Sequence, residues 1–224
     1  MVQQITPETK PEIIYPDSDG NPMSDNTKQY QWIVKIKENL EIIFASNPDV
    51  FIAGDLLWYP VEGSTKIKQA PDVMVVFGRP KGDRGSYQQW KEDNIIPQVV
   101  FEILSPGNRT KEMSKKMVFY QRYGVEEYYI YNPDTFELTG LLREEEWFTA
   151  IEEMNNWVSP RLGIRFELTS DNLEIYYPDG RNFLTSIELN QQLEQEKQRA
   201  NQEQQKYQDL LAKLQAKGID IDSL

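Results

Sequence analysis

The chain has 224 residues, with 24 lysines and arginines against 36 aspartates and glutamates, for a formal net charge of −12. It contains neither cysteine nor histidine, which excludes disulfides, thiolate or histidine metal sites, and catalysis of the Ser-His-Asp or Cys-His kind. With both absent, chemistry falls to carboxylates, lysine, tyrosine, serine or a bound ion, and the acidic balance separately argues against a surface coated for nonspecific nucleic-acid binding.

No apolar run is long enough to span a bilayer, so no membrane partner is expected. The first 26 residues form a polar, extended arm broken by Pro7, Pro11, Pro16 and Pro22, without the apolar core of a secretory signal. With cysteine absent, this fits a cytoplasmic location. A helix is predicted over about 27–45, with Ile33, Ile36, Leu40, Ile43 and Phe44 as its apolar stripe and Asn47-Pro48 as its stop. Short strands follow at Val50–Ala53 and Leu56–Tyr59. Two strongly apolar runs come next, Val73–Phe77 after Pro71-Asp72, and Gln98–Leu104 around Glu102. A polar loop over 78–94 separates them.

A second helix is predicted over Thr110–Tyr123, with Gly124 as its C-terminal cap. Glu127–Tyr131 reads as a strand, and the passage 98–131 as a parallel strand–helix–strand crossover. Strands near 136–142, 147–151, 163–166 and 173–177 are expected to extend the sheet antiparallel. From Thr185 the composition shifts to Gln, Glu, Lys and Leu. Leu193, Ala200, Tyr207 and Leu214 recur every seven residues, and their companion column is Leu189, Glu196, Glu203 and Leu210. The pattern predicts a C-terminal helix over 186–224, either a coiled-coil contact giving a homodimer or a solvated helix. The expected architecture is an α/β mixed sheet flanked by helices over 27–185, with a C-terminal helical extension.

Asp72 and Glu102 are the candidates for chemistry. Strand alternation puts Asp72 with Met74 and Val76, and Glu102 with Val100 and Leu104. If the strands are neighbours, the two carboxylates can share one Mg²⁺ or Mn²⁺ ion, which suits phosphodiester hydrolysis. The alternative is a turn cap at Asp72 and a lysine partner for Glu102. Lys115 and Lys116 are the nearest cations, and Lys116 stacks one turn before Tyr120. Glu41 is a weaker candidate for a further carboxylate. In the 78–94 loop, Arg79, Lys81, Arg84 and Lys91 alternate with Tyr87 and Trp90, a pattern suited to DNA contact or to an ordinary loop.

The succession Ala70-Pro71-Asp72-Val73, Phe101-Glu102-Ile103-Leu104-Ser105-Pro106, Lys116 to Tyr120, and Tyr123–Ile130 resembles the Uma family. These are bacterial restriction-endonuclease-like proteins, a branch of the PD-(D/E)XK nuclease superfamily. The resemblance implies a restriction-endonuclease-like mixed sheet and Mg²⁺-dependent cleavage of nucleic acid. It also implies that Asp72 and Glu102 are the metal carboxylates. Leu104 departs from the E-x-K pattern, and the family's lysine then maps to Lys116 on the next helix. The resulting expectation is a metal-dependent endodeoxyribonuclease with catalytic Asp72, Glu102 and Lys116. Its rival is an inactive nuclease-fold module that binds nucleic acid or protein.

Overall fold

A computed structural model describes residues 13–17, 27–105 and 110–216. The chain divides into two compact units, one ending at Phe183 and the other beginning at Leu184. In the first unit, α1 (Thr27–Ile43) precedes β1 (Val50–Gly54), β2 (Trp58–Tyr59), β3 (Val73–Phe77) and β4 (Tyr87–Gln88). Next come β5 (Val99–Ile103), α2 (Thr110–Arg122), β6 (Glu127–Asn132), β7 (Glu137–Glu144), β8 (Trp147–Ala150), β9 (Arg165–Leu168) and β10 (Leu173–Tyr176). The second unit holds α3 (Ser186–Ala216). Among the described residues no helix is long and apolar enough to cross a membrane.

The main sheet has six strands in the order β1-β3-β5-β6-β7-β8. Only β5 and β6 run parallel, joined through α2, and every other pairing is antiparallel. The apolar runs around positions 75 and 100 are continuous because the sheet is covered on both faces there. On one face α1 lays Ile33, Ile36 and Leu40 against Val73, Val75, Val99, Phe101 and Ile103. On the other, Met74, Val76, Val100 and Tyr128 pack with Tyr120 of α2 and with Trp58. Each such buried Val or Leu contributes roughly 1.5–3 kcal/mol relative to exposure.

α2 ends as its sequence demands. Gly124 adopts φ +92°, Val125 N–H donates to Tyr120 O at 3.1 Å and Gly124 N–H to Gln121 O at 3.4 Å. This is a Schellman cap, and the left-handed residue it requires is cheap only for glycine. The cap fixes the last turn, and with it the register at which Tyr120 enters the core.

Four expectations change. β9 and β10 do not extend the main sheet; they form a hairpin of their own. Phe166 of β9 packs on Phe101 and Tyr129, so the hairpin covers the sheet's face and satisfies its alternation there. The 56–59 strand shrinks to Trp58–Tyr59, which pairs parallel with β4 in a small separate sheet. α1 stops at Ile43, short of the expected end near 45, and buries two polar residues, Gln29 and Asn39; Asn39 Oδ1 accepts from Tyr177 O–H at 2.6 Å. The stretch 78–94 is ordered chain that contains β4 and a short 3₁₀ turn at Gln89–Lys91.

Candidate active site

The register of β3 against β5 pairs Val73 with Phe101 and Met74 with Val100. One step further, Asp72 falls opposite Glu102, so the two carboxylates belong to one row and one face of the sheet. That face is the one α2 covers. Asp72 Oδ2 accepts from Ile103 N–H at 2.6 Å, which ties the end of β3 to β5. The Asp72 carbonyl accepts from Asp55 N–H at 3.2 Å on the other side.

Glu102 is 2% exposed and both of its oxygens are engaged. Lys116 Nζ donates to Oε2 at 2.6 Å, and Tyr120 O–H donates to Oε1 at 2.5 Å. Positions 116 and 120 are one turn apart on α2, so a single helical face delivers both donors. Tyr120, one turn beyond Lys116 as its spacing suggested, therefore grips Glu102 directly. Lys115, about 100° around the helix, is exposed. Leu104 is half-buried, and its N–H donates to Tyr131 O at 2.7 Å.

The charges are coupled. Burial pushes the Glu102 carboxyl above its ordinary range, and the Lys116 charge and the two hydrogen bonds offset this only in part. Burial pulls the Lys116 ammonium down, but the Glu102 and Asp72 charges outweigh it and hold it above the usual lysine value. Lys116 therefore stays protonated across the neutral range and faces both acids. Burial and the Glu102 charge likewise raise the Tyr120 hydroxyl, which remains a donor.

Sequence reasoning did not single out Tyr128. It pairs in register with Val100, placing it on the Glu102 face, and its ring centroid is 5.0 Å from that of Tyr120. Its hydroxyl is buried and has no hydrogen-bond partner among the described residues. Burial, then the charges of Glu102 and Asp72, push it up. The register of a parallel pair would have revealed this position; strand alternation within one segment could not.

The remaining candidates sit elsewhere. Glu41 pairs with Lys81 at 2.8 Å and Lys37 at 3.5 Å. The cations of the 78–94 loop are mostly spent within the protein. Arg79 and Arg84 both bind Glu92, at 2.9 and 2.6 Å, Arg79 also pairs with Asp93, and the Arg84 guanidinium lies 3.9 Å from the Phe51 ring centroid. Burial raises the Glu92 carboxyl, but the two arginines outweigh it and hold it low. Tyr87 is fully buried and donates to Ile95 O at 2.7 Å, so it presents no ring to a base. Lys91 is exposed. The loop's arginine–aromatic pattern thus builds a folded lobe, and an expected DNA contact from it is left with few free cations.

A second buried acid, Glu127, is 2% exposed on the opposite face. It accepts from Tyr129 O–H at 2.8 Å, Arg161 N–H at 2.6 Å and Ser159 O–H. Its partners pin the segment before β9 to the sheet.

The sequence profile of the Uma2 family, described as "Putative restriction endonuclease", matches residues 22–171, and the chain belongs to that family. Among solved structures, a crystal structure of a "putative nuclease belonging to DUF820" from Anabaena variabilis is 15% identical. The match covers 62% of this chain and 74% of that one, with a TM-score of 0.46. No curated protein sequence matches the chain.

Proposed function

We propose that this member of the Uma2 family is a metal-dependent endonuclease that hydrolyses DNA phosphodiester bonds, with Asp72, Glu102 and Lys116 at the reacting centre. The observation that carries the reading is the 2.6 Å contact between Lys116 Nζ and Glu102, in register with Asp72. Two acids and an ammonium on one buried face are costly to keep, and such perturbed clusters concentrate where chemistry is done.

The donor set suits a hard cation. Mg²⁺ is commonly held by one or two carboxylates, with water and phosphate oxygens completing the shell. Two acids therefore suffice, and among the described residues no group of three His, Cys, Asp or Glu side chains converges. Each carboxylate oxygen has more than one lone-pair site, so Glu102 can accept its present hydrogen bonds and still face an ion. Bound between Asp72 and Glu102, Mg²⁺ or Mn²⁺ would neutralise phosphate charge and lower the pKa of an attacking water.

The side chains supply the rest. Ile103 N–H fixes the Asp72 carboxylate, and Tyr120 fixes that of Glu102. Lys116, whose charge Glu102 and Asp72 favour and which is mostly desolvated, would stabilise negative charge developing on the phosphoryl oxygens. In this arrangement the helix lysine takes the place that Leu104 leaves empty. A noncatalytic reading has one observation in its favour: each Glu102 oxygen already accepts a hydrogen bond from a protein side chain, as a structural acid's would.

Two measurements on the purified chain separate these readings, Mn²⁺ titration by calorimetry and nicking of supercoiled plasmid with Mg²⁺ or Mn²⁺. Saturable Mn²⁺ binding that is lost in Asp72→Asn, together with nicking lost in the same variant, is the expected result. Absence of both binding and nicking would overturn the enzymatic proposal and leave the structural one.

A further inference from the structure

The second unit holds a 31-residue helix that, among the described residues, leaves several large apolar side chains exposed. Ile187, Leu189, Leu193, Tyr207 and Leu210 are each about half exposed or more. The helix begins deliberately. Thr185 Oγ1 accepts from Glu188 N–H at 3.2 Å, and Glu188 Oε2 accepts from Thr185 N–H at 2.8 Å. This capping box gives α3 a defined start, but an isolated helix with so narrow an apolar seam is marginal in water.

The seam has one column of Leu193, Ala200, Tyr207 and Leu214, and another of Leu189, Glu196, Glu203 and Leu210. In a parallel, in-register pair the two glutamate layers would each face their own copy, setting like charges together at the centre of the contact. An antiparallel pair avoids this. Centred between residues 201 and 202, it sets Leu189 against Leu214 and Leu193 against Leu210 of the partner helix. Glu196 then meets Tyr207, and Ala200 meets Glu203. The same register explains the charges beside the seam. Arg199 and Lys206 lie on the flank adjacent to the glutamate column, so Glu196 of one helix falls beside Lys206 of the other, and Glu203 beside Arg199.

We propose that α3 is a self-association surface whose occupant is α3 of a second copy in antiparallel orientation. The leucine layers at both ends supply the apolar burial, and the central glutamates select the orientation by meeting cations in place of one another. The two Ser186 ends then lie at opposite ends of the pair, about 46 Å apart along it at 1.5 Å per residue. This inference rests on the helix alone and is independent of the catalytic reading.

The absence of cysteine makes the test direct. Full-length protein is expected to show twice its 26.3 kDa mass in light scattering, and Leu193→Lys with Leu210→Lys to return it to the monomer mass. Leu193→Cys and Leu210→Cys chains, oxidised separately, should each remain uncrosslinked, whereas the mixture should form a disulfide-linked heterodimer. Spin labels at Gln191 should be offset by about 32 Å along the helix pair and labels at Gln205 by about 10 Å, given the helical rise. A monomer, a dimer that survives the double lysine substitution, or a Leu193→Cys chain that crosslinks with itself would each overturn the proposal.

Discussion

Replacing Lys116 with methionine removes a charge while keeping most of the apolar stem, so its effect isolates the ion pair with Glu102. The pair is 12% and 3% exposed and 2.6 Å long, and breaking such a buried pair costs about 3–5 kcal/mol when the remaining charge stays ionised. Glu102 has an escape, because burial already raises its pKa, and without Lys116 it takes up a proton. That route sets a ceiling. At about 1.4 kcal/mol per pH unit above an ordinary glutamate pKa of about 4.3, protonation costs at most roughly 3.7 kcal/mol at pH 7. The same relation gives about 1 kcal/mol at pH 5. The wild type already carries part of the burial cost, so the expected loss is about 2–3 kcal/mol at pH 7 and below about 1 kcal/mol at pH 5. The sign follows from a folded-state pKa raised above the unfolded one: the neutral acid is tolerated at low pH, and stability is lost as pH rises through the folded value. Urea unfolding of both proteins at pH 5, 6, 7 and 8 measures this directly. A destabilisation that does not grow with pH would refute the buried-pair reasoning. Mn²⁺ sharpens the test, since an ion bound at Glu102, as proposed, would replace the missing ammonium. It should raise the melting temperature of Lys116→Met by more than that of the wild type, while plasmid nicking falls sharply.

Glu102→Gln should abolish metal-dependent nicking and Mn²⁺ binding while far-UV circular dichroism stays native; nicking at the wild-type rate would place the activity elsewhere. Lys115→Ala should change neither nicking nor stability by more than about 0.5 kcal/mol, the usual range for exposed positions, and a loss comparable to that of the Lys116 variant would undo the lysine assignment. Tyr128→Phe removes a buried hydroxyl without a partner and should leave the metal-free protein unchanged or stabilised by about 1 kcal/mol; clear destabilisation in urea would mean that the hydroxyl is bonded. Gly124→Ala should cost about 1–3 kcal/mol, because a non-glycine residue is strained at positive φ and the new Cβ would lie 2.8 Å from Ile96 Cδ1; a neutral result would remove the Schellman cap from the account of how α2 is held.

Much of the scaffold was legible because the sequence signals were local. The apolar runs around positions 75 and 100, the helix between them and β6, and the glycine after it each carry their own punctuation. What could not be read depended on register between distant segments. The β9–β10 hairpin has the same alternation whether it extends a sheet or lies across it, and only the room beside Phe101 and Tyr129 decides. The 78–94 loop stayed ambiguous for a related reason: arginines beside aromatics describe both a nucleic-acid surface and a folded lobe. Glu92, between Arg79 and Arg84 in space but thirteen and eight residues away from them in sequence, turns the balance toward the lobe. At the site, alternation gave the faces of Asp72 and Glu102, and the family resemblance, with Lys116 one turn before Tyr120, pointed to Lys116 over Lys115. Tyr128 needed the β5–β6 register and so stayed hidden.

Glu102 and Glu127 show why a buried carboxylate alone identifies no site. Both are 2% exposed on strands of one sheet, and burial raises both. Glu127 is answered by two neutral hydroxyls and a backbone N–H, donors that stabilise charge in place and fasten a loop. Glu102 is answered by an ammonium and a phenol on one turn of helix, with a second acid opposite it in the sheet. That arrangement keeps a net negative charge beside a cation. On the proposed reading, a hard ion would be drawn to the acids and the lysine would meet a phosphate. The distinction predicts opposite responses to metal. Mn²⁺ should shift the melting temperature of Glu127→Gln by as much as that of the wild type, and should leave that of Glu102→Gln unmoved. Equal shifts in both variants would mean that the ion binds at neither carboxylate, and that the Asp72–Glu102 row is a structural pair after all.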